Sequence, residues 1–245
     1  MSAVDHLRAA LEQCYEAFAS VPRPQKLEAS PLRDADEILA TLTAAPLRQL
    51  TGEEIGPYSG WAITTVGSER DYRHFLPRIL ELAVTDPVWL GAEPPIIASK
   101  LISAGWKSWP REQHQAVLQF FHAAFEAAIE MHPEEALSAD IWLCGLVHLG
   151  EPPAPLMERW CSSVAQNAAL QMANFIKSEA KDLVRPGAVG GPFWEGADEN
   201  AKIEIGEWLK SLRVKGFLNN AAGQVSEEDR FFYIDAALSE LTRQF

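Results

Sequence analysis

From the start of the chain the apolar positions advance by three or four, through Val4, Leu7, Leu11, Tyr15 and Phe18. That spacing is one face of an amphipathic helix from Ser2 to about Phe18. The Pro-rich connection SVPRPQKLEASP (20–31) follows, and Asp34 or Asp36 then starts a short helix through Ile38, Leu39 and Leu42 that ends near Pro46. Thr51 and Glu54 have capping-box spacing, which predicts a helix from about Glu53 to Val66. Gly67 is placed to end it, and Ser68 with Asp71 to start the next. In that next helix Phe75, Ile79 and Leu82 form an apolar stripe, while Asp71, His74, Arg78 and Glu81 line one side. Pro77 lies inside it, where a kink would swing Arg78 and Glu81 off that line.

Beyond this pair the pattern of helix, Pro-containing turn, helix repeats. DPVWLGAEPP (86–95) is a link with Trp89 as its anchor into the core, and 96–106 is helical. Ser108 is placed to cap a helix over roughly 110–131 that turns Val117, Phe120, Phe121 and Phe125 inward. SADIWLCGLVHLG (138–150) is apolar on most sides and reads as the most enclosed helix, with Cys144 a core thiol and His148 a hydrogen-bonded core residue. A single long helix is expected from about Leu156 to Val184, with Met157, Trp160, Val164, Ala168, Met172, Phe175 and Ile176 inside. RPGAVGGP (185–192) reads as a turn, since its glycines match neither a dinucleotide nor a P-loop signature. Helices recur at about 198–212, around 214–222, and from Ser226, which with Asp229 makes another cap. No segment alternates as a half-buried strand, so the fold is expected to be all-α. It would be one domain over 1–245, with antiparallel helices forming a compact bundle or an irregular HEAT-like helical solenoid.

Charge narrows the function. A formal net charge of -13 and a pI near 4.9 exclude a general nucleic-acid binder, which needs a basic face, and suit a basic polypeptide as partner. No span approaches membrane length and no leader pattern opens the chain, so a cytoplasmic protein without membrane contact is expected. Nothing in the sequence sets an oligomeric state. Cys14, Cys144 and Cys161 are too few and too scattered for a disulfide framework or a zinc site. His122, Glu126 and Glu130 fall at four-residue steps, but a di-iron bundle would need paired Glu-x-x-His motifs, so the row reads as a solvated face and no metal or cofactor is expected.

The densest chemistry lies in TTVGSERDYRHFLPRILEL (64–82). This segment resembles that of a group of uncharacterised bacterial proteins carrying a TTxGxxxDxxHFLPRxLEL-like motif. SWPREQ (108–113) and the pieces around Phe193, Trp194 and Glu207 to Leu209 are similar to that group too. The resemblance implies no activity. The group also carries a Cys-rich segment upstream, whereas LEASPLRDAD (27–36) has no cysteine, which argues against a metal knuckle here.

Two readings of the segment compete. In an enzyme, Asp71 would orient His74 as an acid/base pair, Arg78 would hold an anion, and Thr64, Thr65 and Glu81 would complete the binding set. In a structural network, Arg78 bridges carboxylates and His74 ties down a backbone carbonyl. The acidity, the eight Trp and the lack of a catalytic signature favour a protein-binding module, for example an immunity-type inhibitor of a basic toxin domain, with the enzyme as the alternative.

Overall fold

The computed structural model describes residues 2–243 except 90, 92, 136 and 184–190, with the backbone alone at 180–182. It is all-α. Among the described residues the only strand-like features are isolated bridges, Ala29 with Val66 and Ala62 with Val66. The chain forms two compact units, residues 1–124 and 125–245, and the division falls inside helix α6 (Arg111–Glu130).

In the first unit α1 (Ala3–Phe18) opens with a Ser2–Asp5 capping box and buries Ala3, Leu7, Leu11, Cys14, Tyr15 and Phe18. The stripe starts at Ala3, and Val4 is half-exposed. Asp34 caps α2 (Ala35–Leu42) by accepting the N–H groups of Asp36 and Glu37. The Thr51–Glu54 box starts α3 (Gly52–Trp61), and the Ser68–Asp71 box starts α4 (Glu69–Thr85), which packs on α1 and α3.

Helix α3 stops five residues earlier than its pattern suggests. The Trp61 carbonyl collects the N–H groups of Thr64, Thr65 and Val66 together with the Thr64 hydroxyl, which folds the chain back at once. Ile63 takes the left-handed conformation there, at φ 67, and Gly67, at φ 70, leads into the Ser68 cap. The 20–33 connection is strapped across this turn by Gly67 N–H to the Glu28 carbonyl and Ser30 N–H to the Thr65 carbonyl.

Helix α4 runs on through Pro77, held by buried Tyr72, Phe75, Leu76, Ile79 and Leu80. Trp89 is half-buried, not a core anchor. Its indole lies over Gly52, where a Cβ would fall 1.9 Å from Cδ1, and its Nε1 donates to Asp86. After α5 (Pro94–Ser103) a 3-10 turn, Trp106–Ser108, buries Trp106. Ser108 donates to the Gly105 carbonyl instead of capping α6, which opens at the Pro110 carbonyl.

In the second unit α9 (Gln166–Leu183) is the hub. It packs against α7 (Ala139–Leu149), α8 (Pro153–Cys161), α10 (Glu199–Leu209) and α11 (Leu212–Ala221), and against the last helix. That last helix is α12 (Glu227–Asp229), a π-helical turn (Arg230–Asp235) and α13 (Ala236–Arg243). The single helix expected over 156–184 is broken between α8 and α9, because the Ser162 N–H closes onto Glu158 and Arg159 and the Ser163 hydroxyl accepts the Ala165 N–H. Val164 is exposed in that break, whereas Met157, Trp160, Ala168, Met172, Phe175 and Ile176 are buried. Val184 and most of the 185–192 turn lie outside the described residues. Trp160, Phe175 and Trp194 stack in series, with centroids 6.0 and 6.1 Å apart. Gln171, fully buried, accepts from Ala139 N–H and donates to the Met131 and Leu137 carbonyls, satisfying the backbone that leads into α7.

Candidate functional site

The central segment distributes its polar side chains among three separate duties. Asp71 is held in the α4 cap, where one oxygen accepts from Ser68 N–H at 2.8 Å and from its hydroxyl at 2.7 Å. His74, one turn on and half-buried, places Nδ1 3.1 Å from the Val21 carbonyl. A carbonyl only accepts, so Nδ1 carries the proton. Asp71 and His74 do not bond each other, and the expected acid/base pair is not assembled; a capping carboxylate is fixed to the first turn by the N–H it satisfies.

Arg78 and Glu81 do meet. Arg78 Nε donates to the Leu50 carbonyl at 2.7 Å and its terminal nitrogen to Glu81 at 2.5 Å, and the same Glu81 oxygen accepts the Tyr15 hydroxyl at 2.5 Å. Burial, and then the Glu81 carboxylate, push the Tyr15 hydroxyl up from its ordinary value. The network ties α1, the chain before α3, and α4 together; Arg78 meets one carboxylate and a backbone carbonyl, not the several carboxylates of the structural reading.

Thr64 and Thr65 are exposed and turned to their own loop, not to Arg78. Thr64 donates to the Trp61 carbonyl at 2.9 Å and accepts from Lys100 Nζ at 3.2 Å. Burial pushes Lys100 below its ordinary value.

His74 borders a cleft of about 560 Å³ whose walls are mainly apolar, including Tyr15, Phe18, Val21, Leu47 and Pro77. Arg48 is at its edge, but its guanidinium is engaged with Glu12 in two bonds of 2.8 and 2.7 Å and lies over the Tyr15 ring at 3.6 Å. Such a cleft can take an apolar group. Glu16 also lines it, but the bond His74 makes is to the Val21 carbonyl.

A second cluster, outside the site expected from the sequence, lies on α7. Asp140, Cys144 and His148 follow at four-residue steps along α7. Cys144 Sγ at 3.3 Å and His148 Nε2 at 2.8 Å converge on one acceptor, the Phe193 carbonyl. Asp140 is buried and accepts the Ser138 hydroxyl at 2.5 Å. Burial first, and then the neighbouring Glu179, raise it to about 6. Glu179 in turn accepts the Gly191 N–H at 3.2 Å. Burial, with Asp140 and Glu179 adding to it, drives Cys144 up, so its sulfur is a protonated donor and not a nucleophile. The signal in the sequence is three polar residues sharing one side of an otherwise apolar helix.

No family model, curated protein or solved structure matches the chain. Among the described residues no group of three or more His, Cys, Asp or Glu side chains is placed to hold a metal ion, and no helix is long and apolar enough to cross a membrane. The arrangement therefore offers fixed scaffolding around the central turn, one apolar cleft with a histidine at its wall, and a strongly acidic second unit.

Proposed function

We propose that this chain is a protein-binding module that captures a basic polypeptide, inhibition of a basic toxin domain by a cognate immunity protein being one concrete form. The observation that carries the reading is where the charge lies. Residues 125–245 hold nineteen Asp and Glu against ten Lys and Arg, whereas residues 1–124 hold fifteen against eleven. A field of one sign steers an oppositely charged partner into encounter and repels like-charged ones. A bacterial cytoplasmic setting belongs to the same proposal, and the resemblance of residues 64–82 adds no activity to it. The enzyme alternative keeps one observation, His74 at the wall of its cleft, without Asp71 beside it.

The test is affinity purification of the tagged chain from cells that make it, at low and at moderate salt, with mass spectrometry of what remains bound. A stoichiometric basic polypeptide, released as salt rises, is the expected result. A chain that returns alone at both salts overturns the reading and turns attention to ligands for the His74 cleft.

A further inference from the structure

The last helix carries an irregularity with an exposed aromatic pair on it. Ile234, Ala237 and Leu241 form its buried stripe. In an unbroken α-helix Phe231, three residues before Ile234, would continue that stripe. The π-helical turn Arg230–Asp235 shifts the register. Asp229 is turned instead onto His132, at 3.2 Å, and Phe231 and Phe232 are left 78% and 56% exposed. Turns of this kind are rare and recur at functional positions.

The turn is also fixed in place. Lys177 Nζ donates to the Phe232 carbonyl at 2.7 Å and lies over the Phe232 ring at 3.8 Å. Tyr233 packs edge-on to Phe232 at 4.9 Å and to His132 at 5.7 Å. Two acidic segments flank the turn: Glu227, Glu228 and Asp229 directly precede it in the chain, and Glu134 and Glu135 follow His132, whose ring packs on Tyr233. Burial, and then Glu134 and Asp229, push the Tyr233 hydroxyl above its ordinary value. Of the cations there, Arg230 lies 3.5 Å from Asp235 and Lys177 is engaged with Phe232.

We infer that the Phe231–Phe232 turn and its surrounding carboxylates are the docking surface for a basic, partly apolar polypeptide segment. Aliphatic carbon of the partner covers the two rings, and its guanidinium or ammonium groups meet Glu134, Glu227 and Glu228. The inference rests on the reading of the chain as a binder of basic polypeptides and gives that reading an address. Charge selects this occupant. A second copy would set the same carboxylates against themselves, and nucleic-acid phosphates or anionic lipid would meet the same repulsion. Exposed aromatic rings add apolar cover and cation–π attraction for Arg, which acidic side chains alone lack.

The test uses the full chain and two fluorescent peptides of equal positive charge, one alternating Arg with Leu and one alternating Arg with Ser, read by anisotropy at low and moderate salt. The wild type is expected to prefer the Arg–Leu peptide. Phe231→Ser with Phe232→Ser loses that preference and binds the Arg–Leu peptide about tenfold more weakly, the scale of removing a central aromatic anchor. Glu227→Lys with Glu228→Lys weakens both peptides, and Leu212→Ser, an equally exposed apolar position elsewhere, changes neither. Equal binding by the wild type and the Phe231/Phe232 variant overturns this surface while the basic-partner reading stands. Failure of the wild type to bind either peptide overturns both. Sedimentation showing a homodimer that the Phe231/Phe232 substitutions dissolve assigns the face to a second copy and overturns the inference.

Discussion

Ionising Asp140, buried in the first turn of α7, sets a second negative charge near Glu179. Its pKa is raised from an ordinary 3.8 to about 6 by burial and then by Glu179, so the fold favours the protonated form. The stability this contributes is fully present below about pH 4 and is lost as pH rises through 6. A shift of about two units corresponds to about 3 kcal/mol. Asp140→Asn, which cannot ionise, is expected to stabilise the chain by about 1–3 kcal/mol at pH 8 and to flatten the pH dependence between 4 and 7, in urea titrations followed by circular dichroism. A residue in unfavourable backbone makes the second case. Ile63 at φ 67 is β-branched in the left-handed region, which costs about 1–3 kcal/mol. Ile63→Gly relieves that strain, so it is expected to leave thermal stability unchanged or higher, where an ordinary helical or strand Ile→Gly would lower it sharply. Neither position is legible in sequence: Glu179 lies far along the chain from Asp140, and the turn that closes onto the Trp61 carbonyl puts the positive φ on an isoleucine, not on the Gly or Asn that would signal it.

At the scale of elements, the Tyr15–Glu81–Arg78–Leu50 network fastens α4 to α1. Arg78→Ala leaves the Leu50 carbonyl and the Glu81 carboxylate short of a partner in a mostly buried place, and is expected to cost about 2–3 kcal/mol in chemical denaturation. A double variant with Glu81→Ala that loses less than the sum of the two singles marks the pair as coupled. The starts of helices were the most legible part of the fold. Thr51 with Glu54, Ser68 with Asp71 and Ser226 with Asp229 cap as their three-residue spacing indicates, since a cap is a local arrangement, whereas Ser108 is turned to the Gly105 carbonyl. Helix ends were less so. The stop at Trp61 depends on three N–H groups and the Thr64 hydroxyl closing onto one carbonyl, and the break at Ser162–Ser163, with no Gly or Pro to announce it, on the Ser162 N–H closing onto Glu158 and Arg159 and the Ser163 hydroxyl accepting the Ala165 N–H. The same distinction explains the candidate site. Asp71, His74, Arg78 and Glu81 share a helix side by spacing, but the cap, the Val21 carbonyl and Tyr15 that claim them belong to three other places.

For the whole molecule the governing quantity is charge. With a net charge of -13 and the larger carboxylate surplus in residues 125–245, association with a basic partner is expected to slow about tenfold or more between low and physiological salt, with much less change in dissociation. Stopped-flow measurement with the partner from the affinity purification checks this; a salt-independent association rate would remove steering from the account. All-α architecture was readable from periodicity throughout. The division into two compact units was not, because it falls within the unbroken pattern of α6.

The three thiols give this division a clock. Cys14, donating to the Ala116 carbonyl and raised by burial to about 12, lies in the first unit, and Cys144, donating to Phe193, in the second. Alkylating reagents need thiolate and access, so half-exposed Cys161 labels first and the other two label when their surroundings open. Followed peptide by peptide in a mass spectrometer, Cys14 and Cys144 are expected to acquire the label at different rates, because separately compact regions open with separate free energies. Identical rates would mean that the chain opens as one cooperative body.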